Sequence, residues 1–335
     1  MRVVVVGATG NVGTSLLDVL TGEPQVESVL GIARRRPDLA PPKVEWAQAD
    51  IARDELFPHF RGADCVVHLA WQIEPSHDLN RLWLTNVHGS RRIFGAAAEA
   101  GVPALVYASS VGAYSPGPKD RRVDESWPTD GVRTSFYARH KAETERMLDE
   151  LERERPELRV VRLRPGLIFK REAASWVKRL FAGPFVPSPL VRPSLVPVVP
   201  DVPRLRFQAV HSRDVGEAYR LAIVRDVRGA FNVAAEPVLD PPELARLLGA
   251  RTVGVPAGAV RAFTAATWRL RLQPTPPGWL DLALGVPLLD TTHAREELGW
   301  EPRRTAGEAL LELMGGIRDR AGAPEPPLVG ARERE

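Results

Sequence analysis

Through the first 165 positions, short runs of β-branched residues alternate with longer stretches whose apolar positions follow a helical period. Val3–Val6 is continuously apolar, as a strand covered on both faces requires. From Val12 to Leu20, positions 12, 16, 17 and 20 share one helical face. The same reading places strands at Val26–Ala33, Lys43–Trp46, Ala63–Ala70, Ala104–Ser109 and Leu158–Leu163, and helices at Leu82–Ala100 and Tyr137–Arg155. Strand and helix alternating at this spacing predict an α/β fold, a doubly wound parallel sheet with helices on both faces.

The rhythm breaks after Pro165. Gly183 to Pro203 holds seven prolines in 21 residues, which excludes a regular helix or a central strand and predicts a long loop, either lid or linker. Regular signals return as a strand at Phe207–His211, a helix at Asp214–Val224, a strand at Ala230–Val233 and a final helix at Thr305–Arg320. The expected division is a Rossmann-type nucleotide-binding domain from 1–165 plus about 205–235. A smaller mixed α/β substrate domain with its lid loop takes about 166–204 plus 236–320. The tail from Ala321, rich in proline and alternating charge, is expected to be disordered.

Composition narrows the function classes. The 335 residues are 44% hydrophobic and 26% charged, with a formal net charge of +3. The basic residues are scattered rather than gathered in a stripe with interleaved aromatics, so no nucleic-acid partner is expected. The single cysteine, Cys65, stands in an apolar run and reads as a small core residue; no metal site is expected. No apolar run reaches 18 residues and the first residues lack a signal-peptide layout, so a cytoplasmic protein with no membrane partner is expected.

Glycines at 7, 10 and 13 follow the first strand and open the first helix. Gly7 permits the tight turn, Gly10 lets a pyrophosphate approach the backbone, and Gly13 lets the helix approach the sheet. The helix N-terminus then offers free N–H groups and a positive dipole end to phosphates. The second strand ends Ala33-Arg34, where an NAD binder usually places an acid for the ribose 2′-hydroxyl. A guanidinium suits a 2′-phosphate, which favours NADP; arginines also stack on adenine, which keeps NAD open.

Tyr137 and Lys141 stand at i and i+4 of one predicted helix and so share a face. An adjacent ammonium favours the phenolate and would lower a tyrosine from about 10 toward working pH. The fifth strand ends in Ser109 and Ser110, at the sheet edge that opens into a ligand crevice.

With these residues the chain resembles an extended short-chain dehydrogenase/reductase, of the kind grouped as NAD-dependent epimerases/dehydratases. The resemblance runs to about residue 320. It rests on the 7–13 glycine loop, Asp50–Ile51, His68-Leu-Ala70, Asn86-Val-His-Gly89, Ser109–Ser110, Tyr137-Ala-Arg-His-Lys141, Arg164–Pro165, Val210-His-Ser-Arg-Asp214-Val215 and Leu298-Gly-Trp-Glu-Pro302. It implies Tyr137 as general acid/base. Lys141 would lower its pKa and bond the nicotinamide ribose, and Ser110, with Ser109 second, would orient the substrate oxygen. It implies a cofactor held by Gly7, Thr9, Gly10, Asn11, Val12 and Gly13, by Asp50 and Ile51 at the adenine, by Leu69 and Ala70, and near Ser109 and Pro165. Asn86 would support the helix that carries it. His211 and Asp214 read as structural. The helices at 82–100 and 137–153 resemble those of a four-helix homodimer interface.

Departures from the family pattern bear on the reaction. Nucleotide-sugar dehydratases carry Asp-Glu directly after the catalytic hydroxyl; here Val111 and Gly112 stand there and transfer no proton. The Asn and Arg with which such epimerases meet a diphosphate correspond to Leu167 and Phe207, with Arg206 one step off. Trp176, Phe181, Phe185, Phe207, Phe263, Trp268 and Trp279 make the expected substrate side apolar. Trp71 either reaches the nicotinamide pocket or caps its strand. The first expectation is an NADP-preferring ketoreductase or dehydrogenase acting on a small-molecule secondary alcohol or ketone, and the second a sugar epimerase with retained NAD. A third, from another class, is a non-catalytic dinucleotide sensor, though such proteins commonly lack the Tyr/Lys pair.

Overall fold

The computed structural model describes residues 1–73, 78–181, 188, 191–273, 275–324 and 326–329. Seven strands form one parallel sheet in the spatial order Gly229–Val233, Arg159–Pro165, Ala104–Ala108, Cys65–His68, Arg2–Val6, Ser28–Ala33, Val44–Gln48. The chain starts in the middle, at Arg2–Val6, winds outward through Ser28–Ala33 and then returns to the other side at Cys65–His68. The strand order therefore reverses beside the first strand. A crevice opens at the carboxyl ends of the strands at such a point, which is where the glycine turn stands.

The period of two along the first strand sorts its valines between two cores. Val3 and Val5 face one cluster with Leu16, Leu20 and Val215; Val4 and Val6 face the other with Ile93, Phe94 and Leu148. Each fully buried valine contributes on the order of 1.5–3 kcal/mol of apolar burial, which fixes the strand's register. On the first face the helices Asn11–Thr21 and Ser212–Val224 lie close enough that a Cβ on Gly216 would stand 2.9 Å from Ser15 O. The second face is covered by Gly89–Glu99 and Phe136–Glu154.

Three expectations change. The helix predicted over 82–100 is built of two α-helical pieces, Leu79–Trp83 and Gly89–Glu99, around a π-helical turn at Leu84–His88. That wider turn carries buried Asn86, whose amide takes both main-chain groups of Gln72. Second, the proline-rich segment is not loop throughout. Its Val198–Asp201 pairs with Arg251–Gly254 in a two-stranded sheet, where every strand is an edge and Pro200 forfeits no central bond. Residues 182–187, 189 and 190 lie outside the described residues. Third, the tail expected to be disordered is anchored as far as residue 329. Leu328 is buried in the first core, and Arg179 donates to Pro327 O at 2.8 Å and Val329 O at 3.3 Å. Apolar burial at Leu328 outweighs the local proline and charge content there. Residues 330–335 lie outside the described residues.

Two further short pairs, Leu167–Phe169 with Ala209–His211 and Arg122–Val123 with Leu288–Leu289, extend the fold past the carboxyl edge of the large sheet. His211 and Asp214 tie the Ser212–Val224 helix to the 300–312 region. Trp300 Nε1 donates to Asp214 O at 2.7 Å, Arg304 N to Asp214 Oδ2 at 3.1 Å, and His211 Nε2 lies 3.2 Å from Glu312. No helix among the described residues is long and apolar enough to cross a membrane.

Candidate active site

The glycine turn is set by crowding. Gly7 has φ +89°, and a Cβ there would stand 2.6 Å from Ala70 N; one on Gly13 would stand 2.5 Å from Ala8 O. The loop therefore holds its backbone against the neighbouring strand end. Gly7, Thr9, Gly10, Arg34, Ile51, Leu69, Ala70 and Trp71 line one cleft. Val6, Ile32, Ala33 and Ala49 line it too, as do Gln72 and Pro327, neither of which carries a sequence signal that marks it. Asn11 opens the helix and Val12 packs against the core behind it.

Other expected cofactor residues stand behind the cleft rather than on its wall. Asp50 turns its carboxylate to Ala52 N and Arg53, while its neighbour Ile51 faces the cleft. Asn86 is spent on Gln72, so it pins the segment that lines the cleft. Pro165 ends its strand, buried, in register with Val233. Lys170 was not singled out from the sequence; buried, it donates to Asn11 O at 2.8 Å and Thr14 Oγ1 at 2.6 Å and fastens the first turn of the glycine-loop helix.

The serine pair divides its labour. Ser109 Oγ donates to Glu145 Oε1 at 2.5 Å, and Glu145 also takes Arg164 through both oxygens at 2.9 Å and Arg162 at 2.9 Å. Burial raises the Glu145 carboxyl, but Arg164, Arg162 and Ser109 outweigh it and bring the group down to about 2. Ser109 is thus committed to the interior. Ser110 caps the turn Val111–Ala113, accepting from Gly112 N at 3.0 Å, and its Oγ and the Tyr137 ring both stand within 3.4 Å of where a Cβ on Gly112 would be.

Tyr137 stands in the first turn of the Phe136–Glu154 helix, capped by Ser135. Its ring lies 5.1 Å from that of Trp279 and 6.2 Å from that of Trp71. It can lie there because position 112 is glycine: a Cβ would stand 2.7 Å from Tyr137 Cε1. The sequence showed Gly112 only as a missing acid. Lys141 shares the helix face, but its Nζ donates to Ala108 O at 2.6 Å and Tyr107 Oη at 3.3 Å and lies 3.4 Å from the centre of the Trp71 ring.

The expected acidification of the phenol is not what this geometry produces. Burial pushes Tyr137 up to about 12, against the lowering hydrogen bond from Ser110. Burial also pushes Lys141 well below the usual lysine range, against the pull of Glu145. Desolvation of both groups dominates, so at neutral pH the phenol keeps its proton.

Leu167 and Phe207 line a second, larger cavity that Val111 and Trp279 join to Ser110 and Tyr137. Trp71 lies on the cofactor-cleft side of Tyr137, which places the phenol between the two spaces. Phe263 borders the larger cavity and Trp176 packs on the core. Phe185 and the side chain of Phe181 lie outside the described residues.

A nicotinamide dinucleotide fits this arrangement on two observations. The turn is a backbone cradle that Cβ atoms would fill. Trp71 Nε1, Gln72 Oε1 and Asn11 Oδ1 are buried with no hydrogen-bond partner among the described residues, beside the cleft or its glycine turn.

The model of the NAD dependent epimerase/dehydratase family matches residues 3–182. An uncharacterized protein of Mycobacterium tuberculosis is 28% identical over 326 residues, which are 96% of this chain and 31% of that protein. The chain therefore spans less than a third of the length of the first curated relatives it matches. A putative dihydroflavonol 4-reductase of Synechocystis is 33% identical over 129 residues, 37% of this chain and 36% of that one. The structure of the Thermus thermophilus UDP-glucose 4-epimerase in complex with NAD superposes with a TM-score of 0.69 at 22% identity, covering 95% of this chain and 99% of that one. This likeness shows a shared fold.

Proposed function

We infer the function from one premise: the chain belongs to the NAD dependent epimerase/dehydratase family. On it we propose that the protein is a nicotinamide-dependent oxidoreductase acting between a secondary alcohol and a ketone. The observation that carries this reading is the position of Tyr137, beside Ser110 across Gly112 and flanked by Trp71 of the cofactor cleft and Trp279 of the larger cavity.

A nicotinamide cofactor supplies the hydride chemistry when bound. The protein's residues supply the rest. Ser110 orients the substrate oxygen. Tyr137 Oη gives its proton to that oxygen in reduction and takes it back in oxidation. Burial keeps the phenol protonated at neutral pH, the state that reduction begins from. Lys141 lies one turn along and donates toward the same strand end. Arg34, on the cleft wall where an acid is missing, supports NADP over NAD.

The test is cofactor consumption by the purified full chain with NADPH or NADH and 2-decanone as the ketone probe. Tyr137→Phe should lose about 10²–10⁴-fold in kcat while cofactor affinity stays. Unchanged turnover in that variant overturns the reading. Epimerisation is the second reading, supported by the family itself; it predicts tightly held NAD, identified by mass spectrometry, and turnover without net cofactor consumption.

We also propose a homodimer. Leu79, Trp83 and Leu84 are exposed at the head of the helix expected at its interface. Sedimentation should give twice the 36.8 kDa chain mass; a particle of one chain mass refutes it.

A further inference from the structure

The larger cavity has a volume of about 550 Å³. Val111, next to Ser110, and Trp279, against Tyr137, form the wall nearest the phenol. Elsewhere it is hydrocarbon, with Leu167, Phe169, Val177, Phe207, Leu282 and Val286 facing in. No Lys, Arg, His, Asp or Glu among the described residues lines it.

Besides Trp279, five polar side chains reach the wall, and their donors are spent within the protein. Gln208 Nε2 donates to Leu289 O at 3.1 Å and Glu236 Oε1 at 3.5 Å while its Oε1 accepts from Leu289 N at 2.6 Å. The hydroxyls of Thr264, Thr267 and Thr275 donate to Val260 O, Phe263 O and Leu180 O at 2.8, 2.8 and 2.9 Å. Gln273 Nε2 donates to Thr264 O and Thr275 O while its Oε1 accepts from Thr275 N. A diphosphate or a sugar hydroxyl moved here loses its water and finds no charge or free donor in exchange. A methylene moved here only gains.

Resting on the oxidoreductase reading, we propose that the substrate is a neutral, apolar ketone or secondary alcohol. Its hydrocarbon body, on the order of 20 non-hydrogen atoms, fills this cavity while its oxygen meets Tyr137 and Ser110. Leu167 and Phe207 then act as specificity determinants. They place hydrocarbon where the family's nucleotide-sugar enzymes are expected to place an amide and a guanidinium.

The test is calorimetric titration of the full chain, in the presence of NADP⁺, with 2-alkanones from about six to about fourteen carbons; Kd should fall about 3–4-fold per added methylene until the cavity is full. UDP-glucose should neither bind nor displace the alkanone. Leu167 is 39% exposed, so Leu167→Arg leaves the core intact, and it should weaken the longest alkanone about 10-fold. Phe263→Asp, at a 70% exposed position, should do the same and stands in if the first variant does not fold.

Affinity independent of chain length, or UDP-glucose bound more tightly than the alkanones, overturns the proposal. Titration needs no turnover, so the two readings fail separately. Chain-length-dependent binding without Tyr137-dependent cofactor oxidation removes the oxidoreductase reading and leaves the ligand class standing. Cofactor oxidation with short polar ketones at rates blind to chain length does the reverse.

Discussion

Lys141 Nζ lies 3.4 Å from the centre of the Trp71 ring, so an indole covers the buried amine on the side of the cofactor cleft. Packing an aromatic face over such a group is worth on the order of 1–3 kcal/mol of apolar burial. Trp71→Ala should lower unfolding free energy by about that amount in urea titration, and Trp71→Phe should recover part of it. The same indole borders the cofactor cleft. Quenching of tryptophan emission by NADPH should therefore shrink in Trp71→Phe; an undiminished quench places the cofactor elsewhere.

Ser109 and Ser110 are adjacent in sequence and opposite in consequence. Ser109→Ala removes a donor from buried Glu145 and should cost about 1–3 kcal/mol of stability with kcat within about 3-fold of the parent. Ser110→Ala should act mainly on rate, lowering kcat about 10²-fold while the lost cap on Gly112 N costs about 0.5–2 kcal/mol of stability. Melting curves and steady-state rates on both variants decide the assignment.

A methyl group at position 112 should matter out of proportion to its size. Gly112→Ala would press on Tyr137 Cε1 at 2.7 Å and move the phenol off Ser110. Because a misplacement of about 1 Å costs about 10²-fold, kcat should drop by that order while cofactor affinity is kept. Cofactor binding and turnover, measured side by side, separate this from general unfolding.

Glu145 makes acid stability depend on one interior carboxylate. Its pKa in the fold, about 2, lies below the usual value of 4.5. Its contribution is therefore fully present above pH 4.5 and is lost as pH falls toward 2. Glu145→Gln leaves Arg162 and Arg164 without their shared anion and should cost about 3–5 kcal/mol at neutral pH. The gap between parent and variant, followed by urea unfolding at several pH values, should close between pH 4.5 and 2.

Arg34 lies exposed on the cleft wall. Arg34→Ala should weaken NADPH about 10-fold and NADH less than about 2-fold, with the NADPH effect shrinking at high salt. Equal losses for both cofactors would refute the 2′-phosphate role.

Much of this architecture is written locally. The valine run, the helical spacing from Val12 to Leu20 and the glycine spacing each need only neighbours along the chain to express their meaning. What stayed hidden depends on partners far away in sequence. Resemblance alone favours Ser110; what turns Ser109 inward is Glu145, 36 residues away. The π-helical turn rests on Asn86 reaching back to Gln72. The raised phenol of Tyr137 rests on enclosure by Trp71 and Trp279, where pair spacing alone implied the opposite sign. Buried Leu328 outweighed a local composition that pointed to disorder.

Pro327 borders the same cleft as Gly10 and Arg34. As the chain leaves the ribosome, the whole seven-stranded sheet is available once Val233 has emerged, yet one wall of the cleft is still unmade. Closure of that wall therefore waits for a stretch well beyond the last strand of the sheet to fold back, and a nascent chain stalled between the two would carry a finished sheet with a cleft still open on one side.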